Sequence, residues 1–485
     1  MTGVNFVTGF LKNKIYSIYL GLSGLGIISQ FTSSISFLTY LLPLGFPMGI
    51  TQMIAQNSEN GKSVLSGIVY SSIVVLLIPV IASVTFILTY SDEISLFLFN
   101  ETIYGSYIKI LSIVTPFIVL YTIIEAVLKG IGDISLYVKL LITSSLVSFS
   151  ISIPLVIFCG IEGAVYGLMI NFVFFVFYSL YKINKLKILE FNFKFLNFNN
   201  KIVKDITKIG IAFLIAGALY QLTFLLLKKM VIEKYGLDGS GIFQSVLNIS
   251  LFYFGFIFTS MSSYTFPKIA RLYNNTDLSN ELNTTIRFIS LVMVPLILTL
   301  IVFRYLILLV LYTSDFVVAE SLFQYQFLGD FFKALSWVLG IWLIPRSKLF
   351  YFILFDVILN ANLILISMYI LDFTEFGVKG VSLAYMTAYL IHFLMNLILT
   401  RKKIGFRFSL KNFKLISSSI IAITGITIVS FYNVTFGYVL FLPLISGWVL
   451  LNLSLHEFKE MKIMIKNYIV SRNLNKVSGS DSEPK

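Results

Sequence analysis

KIYSIYLGLSGLGI, residues 14–27, returns 215 positions later as KMVIEKYGLDGSGI, residues 229–242. Lys14 falls on Lys229, Gly21 on Gly236, Gly24 on Gly239, Gly26 on Gly241 and Ile27 on Ile242. Self-similarity at a fixed offset is a signature of architecture before it is anything else. The match extends outward. Pro79 pairs with Pro295, the apolar run ending FLFNETI (97–103) pairs with the one ending VLYTSDF (310–316), and GIEGAVYG (160–167) recurs as GVKGVSLA (377–384).

Composition sets the solvent in which the repeat folds. Hydrophobic residues make up 57% of the 485 positions, charged residues 12%, phenylalanine alone occurs 47 times, and mean hydropathy is +0.90. Such a chain is an all-α polytopic membrane protein. With roughly 20 apolar residues needed per crossing, about fourteen spans are expected. They run near 3–20, 29–55, 64–90, 107–129, 136–158, 162–181, 208–232, 241–267, 285–303, 319–344, 349–371, 378–400, 413–431 and 436–455. The runs 93–99 and 305–312 are too short to cross and are expected at an interface.

Six spans separate the two copies, so both halves have the same orientation and an axis along the membrane normal should relate them. The expected organisation is therefore two pseudo-symmetric six-helix bundles, 1–185 and 207–400, joined by a basic linker at 186–206. A basic loop at 401–412 leads to helices 13 and 14 at 413–455, and 456–485 is a tail. Helix 7 has some residues before the equivalent of Met1, so the start of helix 1 is expected to lie upstream.

Lysine and arginine resist translocation. They cluster after even-numbered spans, at Lys62, Lys182 to Lys204, Lys268, Arg271, Arg346, Lys348 and Arg401 to Lys411. Acidic residues dominate after odd-numbered spans, with Lys234 and Lys379 as exceptions. Both termini are thus expected in the cytoplasm, and the net charge of +13 follows from topology with no nucleic acid. One cysteine, Cys159, and two histidines, His392 and His456, provide no disulfide and no histidine cluster for zinc. No nucleophile elbow, phosphate loop or long outer loop is present to carry catalysis.

An ionisable side chain at membrane depth costs from about 2.5 to well over 10 kcal/mol, so each should face water or a partner. Lys12 and Lys14 in helix 1, with Lys228 and Lys229 at the matching level of helix 7, are the first candidates. They can snorkel to headgroups or point into the seam between bundles, where Lys14 and Lys229 would face each other across bound anion. Asp330 and Lys333 lie one turn apart in FLGDFFKALSW and can pair, or Asp330 can serve as a protonatable or cation-binding switch. Glu125 and Lys129 share the i, i+4 spacing near the end of helix 4; a local ion pair is the plainer reading. Asp356 has no evident partner in sequence. Ser33, Ser34, Ser36, Thr39, Gln52, Gln221, Gln244, Asn248, Ser262 and Ser263 add hydrogen-bonding groups in helices 2, 7 and 8.

Four stretches, YTFPKIARLY (264–273), ESLFQYQFLGDFFKALSWVLGIWLIPRSKLFYFIL (320–354), LKG (128–130) and VSLAYMTAYLIHF (381–393), carry a family resemblance. In order and spacing they resemble the Wzx-type O-antigen translocases and lipid-linked oligosaccharide flippases of the multidrug, oligosaccharidyl-lipid and polysaccharide exporter superfamily. The resemblance covers about residues 10–400. It implies a polyprenyl-pyrophosphate-linked glycan as cargo, with the tail in lipid near helices 13 and 14, moved from the cytoplasmic to the periplasmic leaflet of the inner membrane. No cofactor is implied beyond a coupling ion, proton or sodium, and contacts with other polysaccharide-assembly membrane proteins are expected. Basic cavity residues carry over to Lys14 and Lys229, and Asp330 and Lys333 match the Gly-Asp-x-x-Lys pattern; no family role transfers to Glu125. The rival readings are a multidrug or cation antiporter of the same superfamily and a membrane polysaccharide polymerase or ligase.

Overall fold

The computed structural model describes residues 2–57, 61–189 and 200–453. His456, the tail at 456–485 and part of the linker lie outside them. Fourteen α-helices follow one another among the described residues. Lipid offers backbone groups no hydrogen bonds, so a crossing segment must satisfy its own, as a helix does. Ten of the helices are long and apolar enough to span a membrane, and the chain is a multi-pass membrane protein.

Three of the ten are long runs with one glycine of positive φ inside: α1 (Thr2–Leu41) at Gly21, α6 (Ile134–Lys185) at Gly160 and α7 (Asn200–Ala270) at Gly236. Only glycine takes that conformation without a Cβ penalty. In α6 the chain doubles back there, since Ser148 Oγ donates to the Gly167 carbonyl at 3.2 Å although the two are 19 positions apart in sequence. Each run therefore holds two of the expected spans, which is why fewer continuous candidates are found than spans expected. The second span is further broken at Gly45 before α2 (Phe46–Gln56).

The remaining elements are α3 (Lys62–Thr89), α4 (Ser91–Phe99), α5 (Gly105–Ile131), α8 (Asn275–Val302), α9 (Arg304–Leu311), a 3-10 segment at Ser314–Leu322, α10 (Phe323–Gly340), α11 (Leu349–Phe373), α12 (Lys379–Ile404), α13 (Leu410–Tyr432) and α14 (Val434–Asn452). The short helices α4 and α9 occupy the runs expected at the interface.

The chain separates into two compact units. One comprises residues 1–278 with 304–405 and is organised by α1 and α7, which pack over most of their lengths. Their closest approach lies just past the two turns, where a Cβ on Gly26 would strike the Leu237 carbonyl and a Cβ on Gly241 the Leu22 carbonyl. The 215-residue offset exchanges these two contacts. Ser23 Oγ donates to Asp238 Oδ1 beside them.

The other unit comprises residues 279–303 and 406–485. Within it, Asn283 accepts from the Ser409 amide at 3.0 Å and from Asn412 Nδ2 at 2.9 Å. Arg287 donates to the Asn452 carbonyl at 2.6 Å, and Phe303 meets Phe441 edge-on at 5.2 Å.

Candidate functional site

Three cavities with a lysine in the wall lie in the larger unit, and two of them, one in each half of the repeat, contrast most in their lining. The first, of about 320 Å³, lies between the two arms of α1 and those of α6. Lys12 stands in its wall and donates to Ser148 Oγ at 3.1 Å. Thr8, Thr32, Ser36, Ser145 and Asn171 line the rest of its polar surface, and no carboxylate does. Small hydroxyl and amide groups around an ammonium suit a compact, hydrated anion.

The second cavity, of about 490 Å³, is walled by α7, α10, α11 and α12. Rings dominate it: Tyr220, Phe258, Phe266, Trp337, Phe352, Phe355 and Tyr389. Lys333 enters from α10 with its ammonium 5.2 Å from the ring centre of Tyr389, 5.3 Å from Phe254, 5.7 Å from Tyr385 and 6.0 Å from Tyr220. Cation–π attraction adds to the charge of the nearby Asp330 carboxylate in holding the ammonium in this cage. His392 Nδ1 lies 2.7 Å from Ser336 Oγ, and Asn396 Nδ2 lies 3.2 Å from His392 Nε2. This histidine is a hydrogen-bonded wall residue. Asp356, which sequence alone could not place, lines the same cavity.

Asp330 and Lys333 do not close the direct ion pair that their spacing allows. The buried Asp330 carboxylate instead accepts from Ser250 Oγ at 2.8 and 2.7 Å, from Tyr385 OH at 2.9 Å and from Tyr253 OH. Gln326, one turn earlier and fully buried, reaches Ser250 Oγ at 3.5 Å. The carboxylate is thus held by hydroxyls from α7 and α12, while the lysine looks into the cavity.

The structure corrects the expected confrontation of Lys14 and Lys229. Lys14 Nζ turns to α9 and donates to the carbonyl oxygens of Leu309, at 2.8 Å, and Tyr312. Lys229 pairs with Glu233 on its own helix and stands 4.8 Å from the Phe97 ring centre of α4. Neither shares a gap with the other; unsatisfied helix-end carbonyls and an aromatic face outcompete a position opposite a like charge. Lys228 is buried in the α1–α7 contact and donates to the Ser29 carbonyl at 3.1 Å and Ser33 Oγ at 2.6 Å. Glu125 pairs with Lys129 at 2.7 Å and accepts from Tyr137 OH, at the edge of a third cavity of about 390 Å³.

Of the hydroxyl and amide groups expected to be available, Ser36, Thr39 and Ser262 do line cavities, whereas Ser33 is taken by Lys228 and Gln244 bonds Asn248 at 2.6 Å. Sequence reasoning missed the aromatic wall. Its signal is the spacing of Lys333, Ser336, Trp337 and Gly340, at i, i+3, i+4 and i+7, which puts all four on one face of α10.

The fold is shared with solved transporters of the MOP superfamily. An inward-facing multidrug resistance transporter of its MATE family superposes with a TM-score of 0.74 at 14% identity, over 83% of this chain and 94% of that one. The lipid II flippase MurJ in an inward closed conformation gives 0.73 at 17% identity, over 92% and 97%. The sequence model of the polysaccharide biosynthesis protein family matches residues 20–321, and the chain belongs to that family. Lipid III flippases of Escherichia coli K12 and Shigella flexneri are each 26% identical over 395 residues, 81% of this chain and 94% of theirs. The relatives and the structural neighbours are named as flippases and transporters.

Proposed function

We propose that this protein is a flippase that carries a polyprenyl-diphosphate-linked oligosaccharide, an O-antigen unit or a related surface-polysaccharide repeat, from the cytoplasmic to the periplasmic leaflet of the inner membrane. The observation that carries the reading is the contrast between an ammonium-bearing polar cavity at Lys12 in one half and an aromatic cavity at Lys333 in the other. The diphosphate belongs at Lys12, where charge compensation comes without a competing carboxylate. Sugars present hydroxyls on their edges and C–H groups on their faces. Tilted and edge-on rings with interspersed Ser336, Asn396 and Asp356 accept both. The prenyl tail stays in lipid. The relatives named for lipid III, and the MurJ fold, support a lipid-linked cargo.

With the basic loops on the cytoplasmic side, the Gly26–Gly241 contact closes the seam toward the outside. The bundles 1–185 and 207–400 then rock about the seam in alternating access. In this reading Asp330 couples that movement to a proton or sodium gradient, because its hydroxyl cage joins α10 to α7 and α12. The test is leaflet translocation in proteoliposomes of a fluorescent polyprenyl-diphosphate trisaccharide. Protein-dependent transfer is expected. A protein that leaves this lipid on its original leaflet, while expelling an organic cation against a gradient, would be an antiporter instead.

A further inference from the structure

We propose that Lys14 and Lys229 are the two latches of the gate at the glycine turns, and that neither is a cargo ligand. The inference goes beyond the flippase reading, since any carrier working by alternating access needs such a gate. Its footing is a pair of contacts in corresponding places. Lys14, in the first arm of the first half, binds a short helix of the second half, α9, through the carbonyls of Leu309 and Tyr312. Lys229, in the first arm of the second half, stands over Phe97 of α4, the short helix of the first half. The repeat aligns the two lysines with each other and α4 with α9. Each half therefore holds the other's short helix.

The chemistry of the two latches differs. The last carbonyls of a helix lack intrahelical partners and carry partial negative charge, so a lysine there satisfies acceptors and complements the helix dipole. Lys14 does this for α9. Phe97 is half exposed and offers only its ring face, and Lys229 divides its charge between that face and Glu233. The Lys14 latch should therefore be the stronger. Both must break when the Gly26–Leu237 and Gly241–Leu22 contacts part, because each spans the same two halves as those contacts. Lys228, which also crosses the seam, is buried among Ser29 and Ser33 and belongs to the packed surface that the latches protect.

A buried thiol in the seam reads the opening. Ser29 is 3% exposed, lines none of the cavities described above, and its carbonyl accepts from Lys228, so a cysteine there reacts only when the seam opens. In a Cys159→Ser, Ser29→Cys background in detergent, the rate of maleimide labelling is compared among variants. Lys14→Met should raise it about tenfold, as expected for hydrogen bonds from a charged donor. Phe97→Ala should raise it about two- to fivefold, as expected for an exposed cation–π contact. Lys14→Arg should stay near the parent. A disulfide between Ser23→Cys and Asp238→Cys should suppress labelling in all of them. Should Lys14→Met fail to accumulate, Phe97→Ala carries the test on the Lys229 side. Unchanged labelling in the variants obtained would overturn the proposal, as would labelling that persists across the disulfide, because the seam would then not be what opens. Neither outcome bears on whether the cargo is lipid-linked, which the translocation assay decides separately.

Discussion

The Lys12 cavity and the Lys333 cavity come from corresponding halves of one repeat, yet their walls share almost no chemistry. The first is small, hydroxyl-rich and carries a single ammonium. The second is larger, walled by rings, and adds Asp356 and His392 to its lysine. At the repeat offset, Lys12 corresponds to Leu227, a fully buried apolar residue, and Lys333 falls within Pro116 to Leu120, none of them charged. The repeat thus preserves the framework, namely the glycine turns and the short helices, while the charges that face the cavities are unpaired between halves. A repeated framework with an asymmetrical lining suits the proposed cargo, whose two ends, a diphosphate and a glycan, differ.

The sharpest break of this comparison is charge reversal. Lys12→Glu should reduce translocation by about a hundredfold or more with normal membrane insertion, because a carboxylate beside the diphosphate repels it in a site of low dielectric. Transport that survives the reversal would move the diphosphate out of the first cavity. Asp330→Asn should come next. It keeps the shape of the hydroxyl cage but removes the charge, so the rate under an imposed proton or sodium gradient should fall to the rate without one. If expression falls in step with activity, the cage is structural. Glu125→Gln marks the small end of the scale. Its pair with Lys129 is local and partly exposed, and the substitution should change translocation by less than about twofold.

How much of this was legible in the sequence depends on the range over which each feature is determined. The long apolar runs and the short helices α4 and α9 are set by local hydropathy, and the glycine cluster shared by residues 21–26 and 236–241 is explicit in the sequence. These were accessible, as was the repeat. The partners of the charged residues were not. Lys14 and Lys229 could be placed at one level but not aimed, because the rotation of a helix about its axis is fixed by packing with segments hundreds of residues away. Leu309 and Tyr312 lie nearly 300 positions from Lys14. Asp330 shows the same limit. Its spacing to Lys333 suggested a pair, but hydroxyls from α7 and α12 reach the carboxylate first. Backbone carbonyls are acceptors at every position, so no sequence pattern marks the two that Lys14 selects.

In the proposed flippase one cargo lies across both cavities, its diphosphate at Lys12 and its glycan against the rings around Trp337. Equilibrium binding to the purified protein of two lipids, a bare polyprenyl diphosphate and the same lipid bearing a trisaccharide, tests it most directly. Lys12→Gln should weaken both by the same factor, about tenfold, since both present the diphosphate. Trp337→Ala should weaken only the glycosylated lipid and leave the bare one unchanged. Equal loss for both lipids in Trp337→Ala, or no loss for either in Lys12→Gln, would contradict the placing of the diphosphate in the first cavity and the glycan in the second.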